Sequence, residues 1–344
     1  MKNPVLNISS LVGVIVLAFA IPYFVEAFTV LNFTVYIIMA ILSLSLAFVW
    51  GMGGIMVLGH SAFFGLGAYA YAIAAVNFGP GWEAVTLSML VPATFAALLG
   101  YFMFYGRISD IYVGVITLAV TLILFNLINS TSGPQYKIGS APIGGYNGIT
   151  AVPTLSWPNG NFIDINGMFY LSVGLLILSY LFIRYYLSTR YGKVTVAIRE
   201  NERRAELLGY NVAQSKLITF SIGGAIAGLA GCMFANWGSF VGPTIFGLVQ
   251  SAQIIIWVIV GGRGTLIGPI LSCIAIQWMT TQLGMQQVVN VGFVLGIVLT
   301  IFVLLVPSGL APLLAKIPNV VRSRLNGKPK EDVALGSPAE EGQT

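Results

Sequence analysis

From Ile111 to Thr131 the chain runs without one charged side chain, and it does so again from Leu217 to Gly262. Between Ala27 and Trp82 the only basic group is His60, and no acid is present. A helix needs about 20 apolar residues to cross hydrocarbon, where each backbone polar group must find its partner inside the protein. Charged residues make up 8% of the chain, against about 25% in a soluble domain. No core built from 344 residues could hide so much apolar surface, so the solvent is largely lipid. The expected fold is an all-α integral membrane protein, a polytopic bundle.

Apolar runs place spans near 9–28, 31–50, 61–78, 84–105, 111–131, 168–187, 217–236, 248–261, 265–283 and 288–306. About ten spans are expected, eight or nine if the short 248–261 run and its neighbours do not all cross; 51–60 reads as a segment that dips back into the membrane. The start resembles a secretory signal, with Lys2, an apolar run and Ala18-Phe19-Ala20. The run continues past those residues, so an uncleaved first helix is the expectation.

The net charge of +5 does not point to nucleic acid, because the basic residues lie between apolar runs, where membrane topology puts them. With both termini cytoplasmic, Lys2, Arg107, Arg184, Arg190, Lys193, Arg199, Arg203, Arg204, Lys216, Arg263 and the basic residues after 315 all face inward. Only Lys137 of the 16 faces out. A membrane domain over 1–316 then carries an external loop at 132–167, rich in turn signals such as IGGYNGI and WPNG, and an internal loop at 188–216. The tail 317–344 reads as disordered, with a basic half suited to anionic lipid headgroups. Cys232 and Cys273 lie in separate apolar runs and read as packing residues.

Two glycine-rich interruptions stand out. WGMGGIMVLGH holds Gly51, Gly54 and Gly59 beside His60, and VGGRGTLIGP holds Gly261, Gly264 and Gly268. Interrupted segments in both halves of a membrane protein point to a substrate path or gate, and broken backbone at that depth must be buried or line a cavity. His60 would pair with a carbonyl freed by the glycines or face a wet cavity. Phe63 and Phe64 would suit an apolar cargo and equally a lipid-bathed helix. Asn126 and Asn129 would line a path or bond a neighbouring helix. GGAIAGLAG at 223–231 reads as close packing through small residues. The internal loop between Val194 and Leu208 has strong helix formers, with Glu200 placed to meet Arg203 and Arg204 and Gly209 to end the helix. Such a helix suits a groove on a cytoplasmic partner, or else is a solvated connector. No phosphate-binding glycine loop, metal-ligand cluster or intramembrane acidic pair occurs, so neither an enzyme nor an ion-driven pump has its usual equipment.

These stretches give the chain a family likeness. WGMGGIMVLGHSAFFGLGAYA at 50–70, GGYNGI at 144–149, GKVTVAIRENERRAELLGYNVAQSKLITFSIGGAIAGLAG at 192–231 and VGGRGTLIGP at 260–269 resemble the membrane-spanning subunits of bacterial ABC importers for branched-chain amino acids. Relatives of that family also carry urea and short amides. The resemblance implies a permease without enzymatic activity or cofactor of its own, in the bacterial inner membrane. Its partners would be a second, homologous permease, two cytoplasmic ATPases holding ATP and Mg, and a periplasmic substrate-binding protein. The family's ATPase-coupling segment would fall on Arg199, Glu200, Asn201, Glu202, Arg203, Arg204, Ala205, Glu206 and Gly209. Ala205 and Gly209 match the wider importer signature, while Arg203 and Arg204 replace its Glu and first Ala. Branched-chain amino acids are the first expectation for cargo, urea or a short amide the second. A secondary transporter or channel is the alternative from another class.

Overall fold

The computed structural model describes residue 22, residues 24–286 apart from 134 and 157–161, and residue 296. Six helices among the described residues are long and apolar enough to cross a membrane. They are Ala27–Leu46 (α1), continued by a π turn over Ala47–Met52, then Ser61–Phe78 (α2), Trp82–Tyr105 (α3), Asp110–Ser130 (α4), Ile165–Ser188 (α5) and Val212–Gly238 (α8). Between α5 and α8 lie two short helices, Arg190–Glu200 (α6) and Glu202–Leu207 (α7); Leu248–Gly261 (α9) and Ile267–Gln286 (α10) follow.

The chain is therefore an all-α membrane protein, but eight to ten spans are not what the described residues display. At about 1.5 Å per residue, α9 measures about 21 Å and falls short of a hydrocarbon core about 30 Å thick. α10 has the length, but Gln277, Thr280, Thr281, Gln282 and Gln286 dilute its apolar character. The expected span at 288–306, most of that at 9–28, the WPNG turn and the tail lie outside the described residues.

α8 is the axis of the bundle. Its small residues face three neighbours: Gly223 meets Val49 of the π turn, Gly224 and Gly228 meet Pro92 on α3, and Gly231 meets the Phe64 carbonyl on α2. Gly67 of α2 backs directly onto Gly228. The 223–231 stretch is thus the small-residue seam that its composition suggested, and close approach there replaces the hydrophobic force that lipid cannot supply between helices. Pairings along the seam give directions. Tyr71 meets Asn236 and Phe63 meets Phe220, so α2 and α8 run parallel. Trp237 Nε1 donates to the Leu31 carbonyl (3.0 Å) while Val49 meets Gly223, so α1 and α8 run opposite.

At the end of the bundle where α1 begins, the 131–164 loop is ordered in pieces. Lys137–Ile138 (β1) pairs with Ala141–Pro142 (β2), and Ile149–Thr150 (β3) pairs with Phe240–Val241 (β4), just beyond α8. The buried Asn236 side chain accepts from Leu155 N (2.7 Å) and from Tyr71 Oη (2.9 Å), fixing the loop to the helix ends.

Filling the seam should be costly. A Cβ at Gly231 would fall on backbone atoms of α2, whereas one at Gly174, on the exposed face of α5, meets nothing within 4 Å. Gly231→Val should cost about 1–3 kcal/mol or more, seen as a lowered melting temperature in detergent, with Gly174→Ala unchanged.

Candidate functional site

The first interruption starts at the π turn. Gly53 N donates to the Phe48 carbonyl (3.0 Å), Gly54 N to Trp50 (3.1 Å) and Ile55 N to Val49 (3.2 Å). These bonds wind α1 down until Gly54, at φ +74, turns the chain out of helical conformation. A residue with a side chain would be strained there. Residues 55–59 then form neither helix nor strand and bend at Leu58, with Ile55, Val57 and Gly59 buried and Met56 and Leu58 half-buried.

A non-helical segment inside the bundle needs partners for its amides, and α4 supplies them. Thr117 Oγ1 accepts from Leu58 N and Gly59 N, both at 3.3 Å, while donating to the Gly114 carbonyl (2.8 Å). The Thr121 hydroxyl donates to the Gly59 carbonyl (2.9 Å), a bond shared with the Thr117 carbonyl (2.8 Å). A Cβ on Gly59 would overlap that Thr117 carbonyl. His60 is 1% exposed; its Nε2 lies 2.7 Å from Ser45 Oγ, and its ring meets Phe63 edge-on. Ser45 also donates to the Leu42 carbonyl (2.7 Å), so the His60 proton belongs on Nε2 and leaves Nδ1 without a partner. His60 thus pairs with a hydroxyl, not with a carbonyl freed by the glycines.

A second interruption lies at 239–247. After β4, the turn Pro243–Phe246 carries Phe246 inward against Gly65 of α2, and α9 begins at Leu248. Ser61 Oγ and Ser251 Oγ meet at 2.6 Å, both buried. Two helices that begin part-way through the bundle therefore meet near their first turns and run to opposite ends. α2 ends beside the 138–140 turn, where Asn77 Nδ2 donates to the Ile138 carbonyl (2.9 Å); α9 ends beside the π turn. The short sequences at the meeting point match, His60-Ser61-Ala62 and Gln250-Ser251-Ala252.

The expected pairing of Gly51, Gly54 and Gly59 with Gly261, Gly264 and Gly268 takes a different form. Residues 262–266 are the turn between α9 and α10, where Gly261 and Gly268 let two backbones touch. Gly264 is exposed, with open space around it. The turn abuts the first interruption: Gly51 packs on the Arg263 backbone, and the Arg263 guanidinium sits 4.0 Å over the Trp50 ring. Burial, and then the charge of Arg199, hold Arg263 below the usual arginine range. Phe63 and Phe64 are buried in ring contacts with Phe220 and Phe234. Asn126 is exposed on α4, its amide donating to the Leu122 carbonyl (2.9 Å), and is not brought to the interruptions.

The loop at the charged end is a helix pair rather than the single helix expected over 194–208. Asn201 breaks it: its side chain accepts from Arg204 N (2.8 Å) and starts α7. Glu200 consequently pairs with Arg199, not with Arg203 or Arg204. Gly209, at φ +85, ends α7 as expected. The cations divide by direction. Arg203 and Arg204 are exposed, with no ion pair among the described residues. Lys216 is turned inward between Asp110 (3.2 Å) and Glu202 (2.7 Å). Arg199 donates from Nη1 to the Gly51 carbonyl (2.8 Å). Glu206 reaches Arg107 across the surface (3.4 Å), and Ala205 is buried.

Residues 27–304 match the family described as the permease component of the branched-chain amino acid transport system. The chain belongs to that family. It is 31% identical over 280 residues to the high-affinity branched-chain amino acid transport system permease protein LivM of Escherichia coli K12, and 30% identical to the Salmonella typhimurium protein of the same description. Each alignment covers 77% of this chain and 65% of the relative, so the chain spans about two thirds of their length. A probable LivM permease of Methanocaldococcus jannaschii is 26% identical over 195 residues, 56% of this chain and 53% of that one. No solved structure matches. The family match contains both interruptions and the helix pair.

Thr117, Thr121, Ser45, Ser61 and Ser251 hold this site together, and none was singled out from sequence. Only the Ser61/Ser251 pair left a sequence signal, the repeated Ser-Ala after a polar residue. Thr117→Val leaves Leu58 N and Gly59 N without their hydroxyl acceptor and should cost about 1–3 kcal/mol for each buried group left unpaired. Thr121→Val should cost less, because the Gly59 carbonyl keeps Ala62 N at 3.1 Å. Thermal unfolding in detergent would rank them, and an equal or reversed order would contradict the geometry.

Proposed function

We propose that the chain is a permease subunit of an ATP-driven, binding-protein-dependent importer of branched-chain or other hydrophobic amino acids in the bacterial inner membrane. The end carrying 188–216 faces the cytoplasm, as the crowding of basic residues there supports. The observation that carries the reading is the family match over 27–304, joined to two oppositely directed helices that start inside the bundle. Inverted, interrupted helices of that kind build transport paths. Gly51, Gly54, Gly59, His60, Phe63 and Phe64 form one side of the gate, with Gly261, Gly264 and Gly268 supporting it at the cytoplasmic end; Asn126 faces outward, where a second, homologous permease would complete the path. With segments 239–247 and α9 crossing together and α10 crossing, the six long apolar helices among the described residues become eight crossings.

Two cytoplasmic ATPases, each using ATP and Mg, dock on the helix pair; this chain needs no cofactor. Arg203 and Arg204 offer unpaired charge, and Leu207 and Leu208 are exposed apolar side chains beside them. A periplasmic binding protein delivers cargo at the opposite end. ATP binding then biases inward-open against outward-open states only as far as the loop's contacts differ between them.

Purification of the chain with its neighbours, reconstitution and ATP-driven uptake of labelled leucine and urea test this. Leucine accumulation that needs ATPases and binding protein is expected. Accumulation of urea alone would reassign the cargo, and gradient-driven uptake by this chain alone would overturn the importer reading. Gly209→Pro, which cannot adopt φ +85, and charge reversal at Arg203 and Arg204 should each cut uptake about tenfold or more. The chain itself should still reach the membrane.

A further inference from the structure

We propose that Arg199 is the latch that ties the cytoplasmic helix pair to the broken end of α1, so that the loop moves the gate by moving the Gly51 carbonyl. This rests on the importer reading and gives its coupling a specific path. Arg199 was expected to face an ATPase with the rest of its segment. It faces inward instead.

The contacts are of three kinds. Arg199 Nη1 donates to the Gly51 carbonyl (2.8 Å) and lies 4.0 Å from Met52 Sδ. The Arg199 Cα and side-chain stem occupy the space a Cβ would need on Gly54, the residue at φ +74 where the chain leaves the helix. Glu200 holds the other side of the guanidinium, fixing its plane. Gly51 lies in the π turn, whose i→i+5 bonding leaves carbonyls poorly served, and π turns recur at functional sites. A cation at a helix C-terminus also complements its dipole.

The rest of α6 is anchored to the same turn. Thr195 lies within 3.1 Å of Thr219 on α8 and 3.4 Å of Tyr186 on α5, and the Tyr186 ring meets Phe48 of the π turn edge-on at 5.4 Å. Displacing α6 therefore pulls on residues 48–54 at two points, one aromatic and one charged. Arg263 stacks on Trp50 and its backbone packs on Gly51, so both arginines lie against the break. Only Arg199 belongs to the loop. An arginine serving merely as a cap would stabilise the π turn without passing anything through it, and the two roles separate by measurement.

The test uses the complete reconstituted complex with its ATPases and binding protein. ATP hydrolysis and leucine uptake are read on wild type, Arg199→Ala, Arg199→Lys and a control, Gly174→Ala, on the exposed face of α5 away from the helix pair. Loss of a charged hydrogen bond should lower uptake by Arg199→Ala about tenfold to a hundredfold while hydrolysis stays within about twofold. Arg199→Lys, which keeps charge and donor, should recover much of the uptake, and Gly174→Ala should match wild type. Met56→Cys, half-buried in the non-helical segment, supplies the readout that a structural role would not move. Its labelling rate by a soluble maleimide should differ between ATP-locked and ADP states with Arg199 present and become nucleotide-independent without it. If Arg199→Ala does not assemble, Arg199→Gln is read the same way. Normal uptake, parallel loss of uptake and hydrolysis, or nucleotide-sensitive labelling in the variant would each overturn the latch. Absence of ATP-driven uptake in wild type would instead overturn the importer reading.

Discussion

Backbone polar groups inside a lipid-bathed bundle have no water to turn to, and everything distinctive in this protein follows from where they find substitutes. Residues 55–59 leave helical conformation and need acceptors and donors from outside their own segment. Thr117 and Thr121 provide them from one face of α4, and Arg199 provides the donor for Gly51 at the other end of the break. Those bonds fix the broken stretch to two neighbours, α4 on one side and α6 on the other. The segment is consequently a shared object, held by α4 at its inner end and by the loop at its surface end.

Close packing makes the sharing possible. The glycines of α8 let α1, α2 and α3 approach its backbone, and that seam holds α2 in place although it begins part-way through the bundle. α9 begins opposite it, and the Ser61–Ser251 bond closes the gap between the two first turns. One hydroxyl donates and the other accepts, so a single bond ties the two helix starts together. In the proposed importer this meeting point joins the two interruptions.

Much of the architecture was legible from apolar runs. The runs at 61–78 and 248–261 became helices with those same limits, because glycine or a polar turn bounds each. Other features needed contacts that no spacing reveals. Asn201 looked like one residue of a continuous helix, and its side chain instead caps a new one. Asn126 drew attention as a polar residue in a span, yet it bonds its own helix. The quieter Thr117 holds the break, which sequence could not show because its partners lie nearly sixty residues earlier. The glycine match between 51–59 and 261–268 pointed to the right neighbourhood and the wrong symmetry. The structural counterpart of 53–60 is 239–247, marked by the Ser-Ala repeat and not by glycine.

Hydrogen–deuterium exchange of residues 53–60 in the lipid-embedded complex, with its ATPases locked in the ATP and ADP states, is the most direct measurement. The proposed gate, held by α4 and moved by the loop, predicts that these amides change protection with nucleotide while those of the 223–231 seam do not. Unchanged protection at 53–60, or an equal change across the seam, would contradict it.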